Sequence, residues 1–135
     1  MKNLICLLFV SGFLLFSCQS ENFPEAFRYG LNEIFQVGDD YCSANQSLKF
    51  RITEINDSRC PSDVVCVWQG EAVVKIAVET PLSGSLELST FYNLTDTIGP
   101  YSFELIDVAP YPVSTKTIRL EEYKVTLKIS EITTE

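Results

Sequence analysis

Tyr123-Lys124-Val125-Thr126-Leu127-Lys128-Ile129-Ser130 decides the fold class. Its apolar residues fall at every second position and its polar residues at the positions between. Successive side chains of an extended chain point to opposite faces, so this pattern is a strand with one dry face and one wet face. The same alternation runs through Leu48, Phe50 and Ile52 against Lys49, Arg51 and Thr53, and through Leu86 and Leu88 against Glu87 and Ser89. Ala72 to Glu79 is richer in apolar residues, which places it inside a sheet and not at its edge.

Turn residues separate these runs: Gly38-Asp39-Asp40, Asn56-Asp57-Ser58, Pro81 to Gly84, Gly99-Pro100 and Pro110 to Ser114. No stretch carries an amphipathic helix of three turns, and Glu25 to Leu31 has room for one helical turn at most. Six to seven short strands with this spacing predict an all-β domain, an antiparallel β-sandwich or small barrel.

Phe50 to Ile55, Phe103 to Val108 and Leu127 to Ile132 share one outline, apolar at i, i+2 and i+5. The final step breaks the period of two. One extra residue restores the face, so a β-bulge is expected within each. If the three strands end together, Glu54, Asp107 and Glu131 form an acidic cluster at one end of the sheet.

The beginning of the chain has a different character. Met1-Lys2-Asn3 is followed by a nearly continuous apolar run from Leu4 to Phe16. About 20 residues of helix are needed to cross a bilayer, so this run is too short to span one and reads as a signal peptide. It ends in Leu15-Phe16-Ser17-Cys18, which resembles the bacterial lipobox, with a bulky Phe16 as its one departure. The resemblance implies cleavage before Cys18 and a diacylglycerol, with palmitate-class chains, on its thiol. Each buried CH₂ contributes about 0.8 kcal/mol, so two or more chains make a lasting anchor. Residues 1–17 are then the signal peptide, 18–25 the lipidated N-terminus and tether, and 26–135 a single β domain. Gln19 to Pro24 would hold that domain roughly 20 Å off the membrane. The address is a bacterial cell envelope, the outer membrane or cell surface ahead of the inner membrane, facing periplasm or exterior.

Removing 17 of the 135 residues leaves 118, enough for one domain that buries about two-thirds of its unfolded surface. Without Lys2 the chain has nine basic and eighteen acidic residues, a net charge of −9. Such a chain repels phosphate backbones, and no basic patch offsets it, so nucleic acid is not an expected partner. Histidine is absent. That removes the usual general base at neutral pH, the imidazole metal ligand and the Ser-His or Cys-His nucleophile pair. No cofactor motif is found.

The most distinctive segment runs from Asp57-Ser58-Arg59-Cys60-Pro61-Ser62-Asp63 through Val64-Val65-Cys66-Val67-Trp68 to Gln69-Gly70-Glu71-Ala72. It resembles the core of a group of short secreted bacterial proteins, many of them lipoproteins. They share Ser-Arg-Cys-Pro, a second cysteine, then Trp-x-Gly-x-Ala. The resemblance implies a fold and a compartment without a reaction. Loop-closure entropy gives about 2.4 kcal/mol for a Cys60–Cys66 bridge and about 3.2 for Cys42–Cys60, too close to choose between them. The spacing of the resembled group favours Cys60–Cys66, with Cys42 left over, buried or paired between chains. A metal held by Cys42, Cys60 and Cys66 is disfavoured, because no histidine exists to complete it.

In the same segment Arg59 is placed to clamp a carboxylate, Asp57 or Asp63. Gly70 is expected to supply a backbone angle or a close approach forbidden to other residues. Trp68, two residues after Cys66, is expected on the same face as that sulfur and inside the core, ahead of the alternative, an exposed indole that stacks on a sugar. The segment reads as a structural staple ahead of the alternative, a tied recognition loop presenting Pro61 to Val65. Elsewhere, Asp96-Thr97-Ile98 resembles the O-glycosylation acceptor of Bacteroidota secreted proteins, with Thr97 as the candidate in an expected loop. Tyr92, Tyr101 and Tyr111, near turns, are candidates for stacking on a sugar or for half-buried strand ends.

The leading expectation is an envelope-anchored, non-catalytic binding or structural module, in contact with the membrane through its lipid and with a protein or glycan. The alternatives are a protease-inhibitor-like module using the Cys60–Cys66 loop and a hydrolase using paired carboxylates drawn from Glu54, Asp107 and Glu131. The second needs two of these about 5 to 9 Å apart.

Overall fold

The computed structural model of the protein describes residues 25–133. The expected signal peptide, Cys18 and the expected tether through Pro24 lie outside the described residues. Among the described residues no helix is long and apolar enough to cross a membrane.

Among the described residues nine strands make two sheets that pack face to face as a β-sandwich. They are β1 (Glu25–Phe27), β2 (Asn32–Gln36), β3 (Asp40–Ser43), β4 (Lys49–Asp57), β5 (Ala72–Thr80), β6 (Gly84–Ser89), β7 (Thr95–Ile98), β8 (Tyr101–Ala109) and β9 (Lys124–Glu131). The first sheet has the order β1-β3-β4-β5-β6 and the second β2-β9-β8-β7. Every pairing is antiparallel except β1 with β3. A 3₁₀ turn, Leu120–Glu122, leads into β9.

The strand count exceeds the expected six to seven because β1, β2 and β7 are too short to display a period. Glu25, assigned to the tether, opens β1, and the stretch offered one helical turn begins as a strand. Phe27 explains why: it is buried and meets Phe35 and Phe50 edge-on at 5.9 and 5.5 Å. Asn56 and Asp57, read as a turn, complete β4 and pair with Val73 and Ala72.

Two of the three expected bulges are present. Ile52 faces Ile76 and Glu54 faces Lys75, which leaves Thr53 extra in β4. Leu105 faces Leu127 and Asp107 faces Thr126, which leaves Ile106 extra in β8. The third outline has none, because β9 stops at Glu131 and Ile132 lies beyond the strand. Each bulge returns the chain to the inner face, where Val108 is fully buried and Ile55 packs against the core.

The alternating residues fill the space between the sheets. Phe50 meets Phe103 edge-on at 5.4 Å across it, and Ile52, Ile76, Leu127 and Ile129 are essentially inaccessible to solvent. Each such side chain contributes about 1.5 to 3 kcal/mol by leaving water.

The sandwich has two ends of opposite character. At the end where β8 begins, Tyr101 is buried and stacks on Tyr29 at 5.7 Å. The Ser47 hydroxyl lies 2.7 Å from the Tyr101 hydroxyl and 3.2 Å from that of Tyr29. Burial pushes the Tyr29 phenol above its ordinary pKa. At the other end, past Asp57 and Ala72, the chain continues for fourteen residues outside both sheets.

Candidate functional site

That continuation begins as an extension of the β4–β5 hairpin. Ser58 donates its N–H to the Glu71 carbonyl at 2.8 Å, and Cys60 donates to Gln69 at 2.7 Å. Gly70 is obligatory between them. It has φ +66°, and a Cβ there would lie 1.8 Å from the Ser58 carbonyl oxygen. The expected angle and the expected close approach are therefore both found at Gly70.

A disulfide joins Cys60 to Cys66, with the Cα atoms 5.9 Å apart. Two further contacts brace the loop it closes. Ser62 donates its N–H to the Pro112 carbonyl at 3.0 Å, and Asp63 accepts from the N–H of Ser114 at 2.8 Å and from its hydroxyl. The hydrogen bonds from Ser114 hold the Asp63 carboxyl below its ordinary pKa.

Arg59 anchors the base of the segment. Its guanidinium donates Nε to Asp57 Oδ1 at 2.8 Å and Nη2 to Oδ2 at 2.7 Å, a two-point grip on one carboxylate. It also donates to the carbonyls of Val108 at 2.7 Å and Pro110 at 3.0 Å. Tyr123 donates its hydroxyl to Asp57 Oδ2 at 3.1 Å. Asp57 ends β4 while Val108 lies in β8 and Tyr123 immediately precedes β9, so this buried network ties the two sheets together. Burial alone would raise the Asp57 pKa, but the hydrogen bonds and charge of Arg59 outweigh it and hold the carboxyl below its ordinary value. Burial and the neighbouring Asp57 charge push the Tyr123 phenol up to about 12. Of the two carboxylates expected for Arg59, Asp57 is the one it grips.

Trp68 is not in the core: it is 78% exposed. The expectation failed for a geometric reason. Cys66, Val67 and Trp68 belong to no strand, so the two-residue step sets no common face and the indole is not carried inward. Val65 and Val67 stand fully in solvent beside it.

A second wall rises from the turn after β6. The buried Ser89 hydroxyl accepts from the N–H groups of Phe91, Tyr92 and Asn93 at 3.3, 2.8 and 3.2 Å. Thr90 bonds Ala72 in both directions, which holds the turn against the start of β5. The turn projects Phe91 and Tyr92 outward, their rings 4.6 Å apart and nearly perpendicular.

Between the walls lies a cleft of about 530 Å³, lined by Val67, Trp68, Gln69, Glu71, Phe91 and Tyr92 among others. Glu71 Oε2 is shielded from solvent and has no hydrogen-bond partner among the described residues. A buried acceptor left unmet costs about 1 to 3 kcal/mol. A smaller hollow of about 270 Å³ adjoins the cleft across Gly70 and Phe91. Ile106, turned outward by the β8 bulge, lines it together with Asp107 and Tyr111, whose ring lies 4.6 Å from the Arg59 guanidinium carbon.

A scan against protein-family models finds no match to this chain, and searches of curated proteins and of solved structures find none. The site is therefore read from its own residues.

The expected acidic cluster does not form. Glu54 pairs with Lys75 at 3.1 Å on the first sheet. Asp107 lies opposite Thr126 and Glu131 opposite Tyr101, at the two ends of the β8–β9 ladder. Five residues of strand separate those positions, roughly 17 Å, far beyond a catalytic carboxylate pair. Among the described residues no group of three His, Cys, Asp or Glu is arranged to hold a metal ion. Cys42 is buried on β3, far along the sheet from the disulfide. Thr97 is exposed, on the edge strand β7 and not in a loop. Of the three tyrosines near turns, Tyr92 is exposed, Tyr111 half-exposed and Tyr101 buried.

The sequence reading missed Phe91 and Glu71, and offered Tyr92 only as a candidate for sugar stacking or a half-buried strand end. A signal was present: two consecutive rings follow Ser89-Thr90, where an alternating strand could bury one of them at most.

Proposed function

We propose that the chain is an envelope-anchored bacterial lipoprotein, held through Cys18, whose β domain is a non-catalytic binding module. One observation carries the binding reading. Two braced walls hold Val65, Val67, Trp68, Phe91 and Tyr92 in solvent at one end of the sandwich, although the core is complete without them. A contiguous exposed apolar patch marks an interaction surface. The disulfide, the Arg59 network and the Ser89 turn fix its shape in advance, which lowers the ordering cost of binding.

A photoreactive residue at Val67 in intact cells tests this. Discrete crosslinked species are expected from Val67 and not from Ile34, an exposed apolar residue on β2 outside the site. Absence of adducts at Val67, or the same adducts at Ile34, would contradict the reading. The anchor has its own test: Cys18→Ser should move the protein to the soluble fraction or leave an unprocessed precursor.

A second reading has a specific observation behind it. Val65 is fully exposed on a loop closed by the disulfide and braced at Ser62 and Asp63, the form in which a protease inhibitor presents its binding segment. Dose-dependent loss of activity of an envelope protease, abolished by Val65→Asp, would favour it. We further propose Thr97 as an O-glycan acceptor, supported by its exposure. The test is a glycan mass on the Thr97 peptide that disappears in Thr97→Ala.

A further inference from the structure

We propose that the cleft between Trp68 and the Phe91–Tyr92 wall receives the cationic side chain of a lysine or arginine from a protein partner. The inference rests on the reading of this end as a docking surface and specifies what docks there.

The lining chooses the charge. Among the described residues Glu71 is the one formally charged residue on the cleft, and no described lysine or arginine lines it. The Arg59 guanidinium belongs to the adjoining hollow and is held there by Asp57, Val108 and Pro110. Glu71 Oε2 lacks a donor among the described residues, and an ammonium or guanidinium carries several. The whole chain adds a net charge of −8, which draws a basic partner toward the surface.

The aromatic arrangement chooses the shape. Phe91 and Tyr92 meet at 80° with centroids 4.6 Å apart, so together they form a corner and not one flat platform. A pyranose ring stacks on a flat face. A compact cation is attracted to ring faces wherever it approaches them, and its alkyl stem packs along the apolar walls. Val67 and Trp68 supply the opposing side, and Gln69 adds an amide at the rim.

The purified full chain in a non-ionic detergent is titrated by calorimetry with acetyl-Gly-Lys-Gly-amide, its arginine counterpart and its norleucine counterpart. Trp68, the single tryptophan, gives a second readout through its emission. The lysine or arginine peptide should bind, and norleucine should weaken binding by at least about tenfold, through loss of the charge-assisted bond. Glu71→Gln should weaken the cationic peptide by about tenfold as well. Trp68→Ala should weaken it by about two- to fivefold. Raised salt should reduce affinity for the wild type and much less for Glu71→Gln. Equal binding of the norleucine peptide would overturn the proposal in favour of a merely apolar groove. Binding of an N-acetylglucosamine trimer or of phosphocholine without the lysine and arginine peptides would overturn it too. Failure of both cationic peptides alongside adducts at Val67 would sink this inference and leave the docking surface standing; absence of those adducts would remove the surface itself.

Discussion

The two ends of the sandwich use the same kinds of residue to opposite effect. Where β8 begins, Phe50, Phe103 and Tyr101 are buried and each in ring contact, and tyrosine and serine hydroxyls satisfy one another. Where β8 ends, Val65, Val67, Trp68, Phe91 and Tyr92 are exposed, and the polar bonds lie behind them. The difference does not come from hydrophobicity, since both ends are rich in rings. It comes from where the second layer stops. Between the sheets a ring meets another ring; past Ala72 it meets water unless a partner arrives. What holds the exposed end in shape is covalent and polar: a disulfide, a gripped guanidinium and a hydroxyl that accepts three amides.

The contrast can be broken most severely at its support. Asp57→Ala leaves the buried Arg59 charge without its carboxylate and should cost about 3 to 5 kcal/mol in urea unfolding. The pH dependence has a definite sign. The Asp57 pKa is held below its ordinary 3.8 in the fold. The pair's stabilisation is therefore whole above about pH 4 and fades as pH falls through the folded value. The gap in urea midpoint between wild type and Asp57→Asn should shrink accordingly on acidification.

Phe50→Ala opens a cavity at the closed end and should cost about 3 to 5 kcal/mol. Replacing Cys60 and Cys66 together by serine should cost about 2.4 kcal/mol by loop entropy. Non-reducing peptide mapping of the native chain should recover Cys60 linked to Cys66. The smallest effect is expected at the most prominent ring. Trp68→Ala should change stability by less than about 0.5 kcal/mol, as exposed substitutions do. A loss comparable to that of Phe50→Ala would erase the distinction between the two ends.

The closed end was the more legible in the sequence, because burial imposes a period. Phe50 and Ile52, Leu86 and Leu88, and Tyr123 to Ile129 alternate because one face of each strand must be dry. The slips at Ile55 and Val108 betrayed the bulges for the same reason. Strands of three to five residues, β1 and β2 among them, gave no such record. At the open end the period misled. The two-residue step from Cys66 to Trp68 predicts a common face only if a sheet continues there and another covers it, and neither condition holds. Gly70 was readable because its requirement is local, a backbone angle beside a carbonyl. Glu71 and the Phe91–Tyr92 corner are far apart in the chain and meet because β5 pairs with β6, Val73 opposite Ser89, and Thr90 bonds Ala72, which no local pattern records.

The most direct test of an apolar end held open to solvent is the emission of the single tryptophan. Native full chain should show the red emission of a solvated indole, ready quenching by acrylamide and little further shift on unfolding in urea. A blue native spectrum, shielded from acrylamide and moving red only on unfolding, would place Trp68 inside the protein and contradict the account.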